Sequence, residues 1–272
     1  MVYDLIDGQF AKQGDKVFGT DIAEQLLFTE SFRSIRNRLL FWNEHLDLMN
    51  FQFQLLNRQL PDVIKNKGRE LNRQLERTLV KNKLFKSARI DVAFFDTGNH
   101  TGYLAKAKTI DAPFYGLNQE GLILDIFSRT SKSSSPLSAL RMGSYPYWKI
   151  LRAFQSSDLT EMVLQNERGC LLEAPERNLY LVQGINVHTV APGSGSYLDP
   201  ARETILRICR KTGFVIHENE FLDAEDLLHA DEVFLAGEIH GIQWVKGFGM
   251  KRYRCKAARK LNDLLNRELE IE

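Results

Sequence analysis

The sequence predicts a two-domain protein that mixes helices and strands, α+β or α/β in class. Three observations predict it. The chain has 272 residues, of which 43% are hydrophobic and 26% charged, enough apolar content to bury a full core and too much for a disordered chain. Stretches with strand and helix periodicity alternate along it, more regularly in the second half. A polar, serine-rich run, SRTSKSSSPLS at residues 128–138, has the composition of a linker. The expected division is a small N-terminal α/β domain over residues 1–127, a linker over 128–138 and a larger C-terminal α/β domain over 139–272.

Each element has its own signal. Residues 22–33, IAEQLLFTESFR, read as a buried strand running into a second short strand. Residues 42–60 carry Leu46, Met49, Phe53 and Leu56 at helical spacing, and Pro61 stops the pattern. Residues 68–83 form a second amphipathic helix whose Arg and Lys residues read as its solvated face. IDVAFF at 90–95 is a strand ending in a Gly/Asn turn, and residues 122–127 form another. After the linker come a helix at 144–155, strands at 161–164 and 170–173 around a turn, and strands at 178–182 and 187–190 around Gly-Ile-Asn. A helix follows at 200–212, with Asp199 placed to cap it and Pro200 suited to its first turn. Residues 214–218 are a strand, DAEDLLHA a short helix, EVFLAG at 232–237 a strand, and residues 256–270 a closing helix.

Several function classes are excluded. A net charge of +1 lacks the basic excess of a nucleic-acid binder. No apolar run is long enough for a membrane span. The N-terminal MVYDLIDGQFAKQGDK lacks the basic-then-apolar pattern of a signal peptide. Cys170, Cys209 and Cys255 lie far apart, so neither a metal cluster nor a disulfide framework is expected, and a reducing cytoplasm fits. His188, His217, His229 and His240 are scattered, and no metal site is expected. GSGS at 193–196 lacks the Lys-Ser/Thr of a nucleotide loop and reads as a plain loop.

Several longer motifs point to one family. SSPLSALRMGSYPYWKIL at 134–151 resembles a segment that reads Leu-Ser-x-Leu-Lys-x-x-Asn-Tyr. LLEAPERNLYLV at 171–182 resembles a glutamate segment with an asparagine five residues on. DPARETILRIC at 199–209 resembles a phosphate-binding helix start, and LLHADEVFLAGEIHGIQWV at 227–245 a strand and its loop. TESFR at 29–33 and NEHLDLM at 43–49 resemble the Phe-Glu-Thr-x-Arg strand and His-x-x-Arg helix of a small domain. Together they resemble the fold-type IV pyridoxal-phosphate family, the class IV aminotransferases and aminodeoxychorismate lyases. The resemblance implies the two-domain fold of the D-amino-acid aminotransferase kind, and a homodimer.

In that family a lysine forms the imine with pyridoxal, a glutamate faces the ring nitrogen, and backbone N–H groups and an arginine hold the phosphate. Carried over residue by residue, the lysine falls on Arg141, 32 residues before Glu173. A guanidinium is permanently charged and is not a usable nucleophile. Lys149 and Lys132 are the other lysines nearby, and both read as solvated surface residues. The phosphate arginine falls on Leu48, which offers no donor. The Gly-Ile-Thr helix start falls on Asp199-Pro200-Ala201, where proline removes an N–H and aspartate adds a negative charge. The hydroxyl residue after FLAG falls on Glu238.

The resemblance thus implies a protein without pyridoxal phosphate. Glu30, Arg33, Arg141, Glu173 and Asn178 remain, and are expected to line an interdomain pocket for a small anionic ligand. That ligand would be a carboxylate, by family analogy chorismate-like. Arg141 and Glu173 are expected within salt-bridge or one-water distance. Were chemistry retained, Glu173 or Glu30 would serve as acid or base and Arg141 as an electrostatic clamp. Two other readings stay open: a non-catalytic dimeric scaffold, and a conventional pyridoxal-phosphate lyase or aminotransferase whose lysine lies elsewhere.

Overall fold

The structure is a computed structural model that describes residues 2–13, 22–157 and 159–270. Residues 14–16 of the N-terminal segment read above lie outside the described residues. The chain forms two compact units, Met1–Phe114 and Tyr115–Glu272. The division therefore falls ahead of the serine-rich run, not within it.

The first unit contains β1 (Tyr3–Ile6), β2 (Gln9–Lys12), α1 (Ile22–Gln25), β3 (Leu26–Ile35), β4 (Arg38–Leu39), α2 (Trp42–Leu55), α3 (Arg69–Lys81), β5 (Ser87–Asp96) and β6 (Thr101–Thr109). Its strands form one sheet in the order β2-β1-β6-β5-β3-β4, every pairing antiparallel. Helix α3 follows from its pattern. Leu71, Leu75 and Leu79, four residues apart, are buried, while Arg73 is paired at the surface with Glu70. Phe28, Phe53 and Phe94 meet as ring pairs with centroids 4.9–5.5 Å apart, fastening α2 to the sheet. The segment read as two strands from residue 22 is instead a helical turn followed by the ten-residue β3.

The second unit contains β7 (Leu122–Lys132), α4 (Arg141–Phe154), β8 (Thr160–Asn166), β9 (Glu173–Ala174), β10 (Arg177–Gln183), β11 (Asn186–Val190), α5 (Arg202–Lys211), β12 (Val215–Asn219), α6 (Ala224–His229), β13 (Glu232–Gly237), β14 (Gly241–Phe248), β15 (Lys251–Arg252) and α7 (Lys256–Glu268). The main path of its sheet runs β12-β11-β10-β13-β14-β7-β8. The β11–β12, β14–β7 and β7–β8 pairs are parallel. Strand residues Val163, Leu179, Leu181, Val233, Leu235 and Val245 form one apolar cluster with Leu171 and Leu172. Phe127, Trp148, Leu151, Leu164 and Tyr197 form another under α4.

Here the structure corrects the expected linker. Residues 128–132 are the last part of β7, and Pro136–Ala139 is a short 3-10 turn. Ser135 caps that turn, its Oγ accepting from the Ser138 N–H at 3.3 Å. Hydroxyls in this run tie backbone down: Ser134 Oγ donates to the Ser194 carbonyl at 3.1 Å, and Ser144 Oγ to that of Ser138 at 2.8 Å. Serine-rich composition here serves local hydrogen bonding rather than looseness.

Candidate functional site

The residues singled out in the sequence fall on both units. In the first, Glu30 on β3 is 1% exposed. Its Oε1 accepts from Gln52 Nε2 at 2.5 Å, and its Oε2 lies 3.5 Å from His45 Nδ1. Arg33, also on β3 and buried, donates from Nη2 to the Ala112 carbonyl at 3.1 Å. Leu48 is buried on α2, one turn from both His45 and Gln52. Glu30 therefore faces the helix that carries Leu48, where two polar side chains of that helix hold it.

In the second unit the geometry departs from expectation at Glu173. This carboxylate starts β9 and is fully buried. Its Oε1 lies 2.5 Å from Lys132 Nζ and accepts from Trp148 Nε1 at 3.2 Å. Its Oε2 accepts from the Tyr197 N–H. Lys132, read from the sequence as a surface lysine, is 0% exposed and also donates to Ser144 Oγ at 2.8 Å. It is the only buried lysine among the described residues. Burial pulls its amine below the usual lysine range, against the opposing pull of Glu173. Lys132 closes β7 at an inward-facing position, and only the strand's extension into the serine run puts it there. Lys149 is exposed, as expected.

Arg141 is buried as expected, but its partner is different. Arg141 Nη1 lies 2.7 Å from Glu176 Oε1, and Lys132 takes the place at Glu173 that Arg141 was expected to fill. Glu176 Oε2 lies 2.7 Å from Arg152 Nη2, with His240 Nε2 at 3.8 Å. Glu176 is 2% exposed and has φ 59°, the left-handed region, which costs a non-glycine residue about 1–3 kcal/mol. Nothing in residue type alone marked Glu176. The turn Pro175-Glu176 between β9 and β10 brings it against the start of α4. Asn178 is buried on β10, and its Nδ2 donates to the Tyr197 carbonyl at 2.7 Å.

At the start of α5 the expected capping is shifted. The helix begins at Arg202 with Ala201 as its cap residue, and Pro200 lies ahead of it, buried. Asp199 is buried too, and its Oδ1 accepts from the Ala201 N–H at 2.8 Å and the Glu238 N–H at 2.9 Å. Gly237 makes room for this: a Cβ there would stand 2.8 Å from Asp199 Oδ2 and 2.1 Å from the Glu176 carbonyl oxygen. Glu238 is 2% exposed.

Beside these groups lies an open cleft of about 490 Å³ that includes Arg152, Gln155, Arg177, His240 and Gln243 in its lining. Arg177 is paired with Glu161 and Gln243, while the Arg152 side chain is 41% exposed. The histidines do not assemble into a metal site. His188 and His217 stack with centroids 4.7 Å apart, and no group of metal-ligating side chains occurs among the described residues. No described helix is long and apolar enough to cross a membrane.

Comparison with known proteins agrees with this architecture. The fold matches a branched-chain amino acid aminotransferase from Escherichia coli at TM-score 0.80 and 18% identity, covering 97% of this chain and 93% of that one. A branched-chain aminotransferase from Thermoproteus uzoniensis matches at TM-score 0.82 and 16% identity, over 98% and 94% of the two chains. A hypothetical aminotransferase from Mycobacterium tuberculosis matches at 0.81 and 14%, over 98% of each. No curated protein matches the chain. Identities this low speak for the fold alone. The family itself is read from the sequence: residues 27–248 match amino-transferase class IV, and the chain belongs to that family.

Proposed function

We propose that this chain is a pyridoxal-phosphate-independent member of the class IV aminotransferase family, and that its C-terminal unit binds a small carboxylate. The observation that carries the reading is Arg141. A buried guanidinium paired with Glu176 stands at the position where the resemblance requires an imine-forming amine. On this reading pyridoxal phosphate has no place, because Glu173 is held by Lys132 and the α5 start by Asp199. Leu48 and Pro200 add no donor.

The cleft beside Glu176 supports the carboxylate. Its volume falls within the roughly 300–1,000 Å³ of small-molecule sites. Arg152 is half in solvent, and Arg141 still partners Glu176 when Arg152 turns to a ligand. An incoming carboxylate thus takes over an existing charge-assisted bond without leaving a buried acid unpaired. His240 adds a second donor at the mouth.

One observation favours a second reading. Lys132 is a buried amine with a depressed pKa, the condition that makes a lysine reactive toward carbonyls. It would then be the displaced imine lysine of a conventional enzyme. One experiment separates the two. The purified protein is incubated with pyridoxal phosphate, reduced with borohydride and mapped by peptide mass. A colourless protein with no stoichiometric adduct is expected. A single adduct at Lys132 overturns the first reading in favour of the second. On the first reading, small carboxylates raise the melting midpoint of the wild-type chain and not that of Arg152→Gln.

A further inference from the structure

By the resemblance, Glu173 would face a cofactor's ring nitrogen and the start of α5 its phosphate, and at each of these places the second unit has a buried ion of its own. We infer that the chain carries tethered replacements for those charges: the Lys132 ammonium against Glu173, and the Asp199 carboxylate at the start of α5. This rests on the cofactor-free reading and adds to it. The site has not merely lost binding residues; it is occupied from within.

The cationic end is complete. Lys132 Nζ has Glu173 Oε1 at 2.5 Å and Ser144 Oγ at 2.8 Å, with all three side chains buried. Trp148 and Tyr197 close over the pair edge to face, centroids 4.8 Å apart. The anionic end is equally built. Asp199 Oδ1 collects two backbone N–H groups, those of Ala201 and Glu238, from two different segments. Such converging N–H groups at a helix start are an anion's binding geometry, and here the anion is a side chain of the same chain. Gly237 leaves the space that the carboxylate fills. The ends are joined by the run Tyr197-Leu198-Asp199: the Tyr197 N–H binds Glu173 Oε2, its carbonyl accepts from Asn178 Nδ2, and the Leu198 N–H binds the Ala139 carbonyl at 2.8 Å. An external ligand carrying a cationic ring and a phosphate would have to displace both tethered ions at once.

The experiment removes one tethered ion and supplies a free one. Asp199→Gly frees the Ala201 and Glu238 N–H groups, while Asp199→Ser keeps an oxygen for the helix start and guards against a variant that fails to fold. Melting midpoints are measured for wild type and both variants against inorganic phosphate at constant ionic strength. A saturable upward shift is expected for a variant and none for wild type, since only the variant's folded state gains a ligand. An equal shift in wild type, or no shift in any folded variant, overturns the inference. Adding Lys132→Met to the phosphate-responsive variant should then permit binding of pyridoxamine phosphate, which lacks the aldehyde and cannot form an imine, read as quenching of its fluorescence. Failure of that step overturns the cationic half. The proposed function is tested separately, on the wild-type chain, by the borohydride adduct and by the carboxylate melts.

Discussion

Lys132 and Glu173 meet directly and fully buried, and neither can be removed alone without stranding the other's charge in the core. Lys132→Met is therefore expected to destabilise the protein by about 3–5 kcal/mol, measured by urea denaturation. Lys132→Met combined with Glu173→Gln should recover much of that loss, because the two residues form one unit. Equal midpoints for wild type and Lys132→Met would show that the pair does not form. Composition hid this pair. Lys132 sits in a run of serines, and a run of serines reads as an exposed connection. The burial of Arg141 was expected from its place in the PLSAL frame, and Arg141 is buried. Its partner was not, since Glu173 and Glu176 lie three residues apart and both meet α4, Glu173 at Trp148 and Glu176, from its left-handed turn, at Arg141.

The helices show which physical signals survive in a sequence and which do not. Helix α3 was readable from its leucine spacing, and its first turn adds an electrostatic device that spacing does not reveal. Glu70 accepts from Arg73 and Gln74, whose hydrogen bonds hold its carboxyl down to about 2. Its folded pKa lies below the ordinary value of 4.5, so its contribution is complete above that value and is lost as pH falls toward about 2. Thermal melts across that acid range should show a slope in wild type that Glu70→Gln reduces, and an unchanged slope would remove Glu70 from the account. At α5 the sequence placed the cap two residues early, at Asp199 rather than Ala201. Asp199 looked like a helix cap because capping aspartates precede apolar-periodic runs, but its carboxylate also spans to Glu238, the residue after β13, a contact between residues 39 apart. Long-range pairing of this kind leaves no local signature. The parallel β11–β12 pair is equally non-local, joined through α5.

At the scale of the whole molecule, the fold class was legible and the boundary was not. Alternating periodicities fixed a mixed protein with two parts. The division was sought where composition changes, whereas contacts divide the chain at Phe114/Tyr115, in a stretch with no linker composition. Tyr115 is buried, and its backbone is tied to α7: its N–H binds Asn266 Oδ1, and Asn262 and Asn266 donate to its carbonyl. The first residue of the second unit is thus fastened by the last helix. The family resemblance also leads us to propose a homodimer. Multi-angle light scattering at micromolar concentration should return twice the 31.3 kDa chain mass, and the chain mass itself would count against the proposal.

The buried Lys132–Glu173 pair also bears on how such a chain can drift. A folded domain stands only about 5–15 kcal/mol above its unfolded state. A lineage that loses Lys132 before Glu173 passes through a form whose buried carboxylate has lost its cation. Such an intermediate forfeits a large share of that margin before a new partner can arise. The pair of Lys132 and Glu173 is in this sense a ratchet: loosening it demands coordinated changes at residues 41 apart in sequence, while removing either partner alone is penalised by the fold itself.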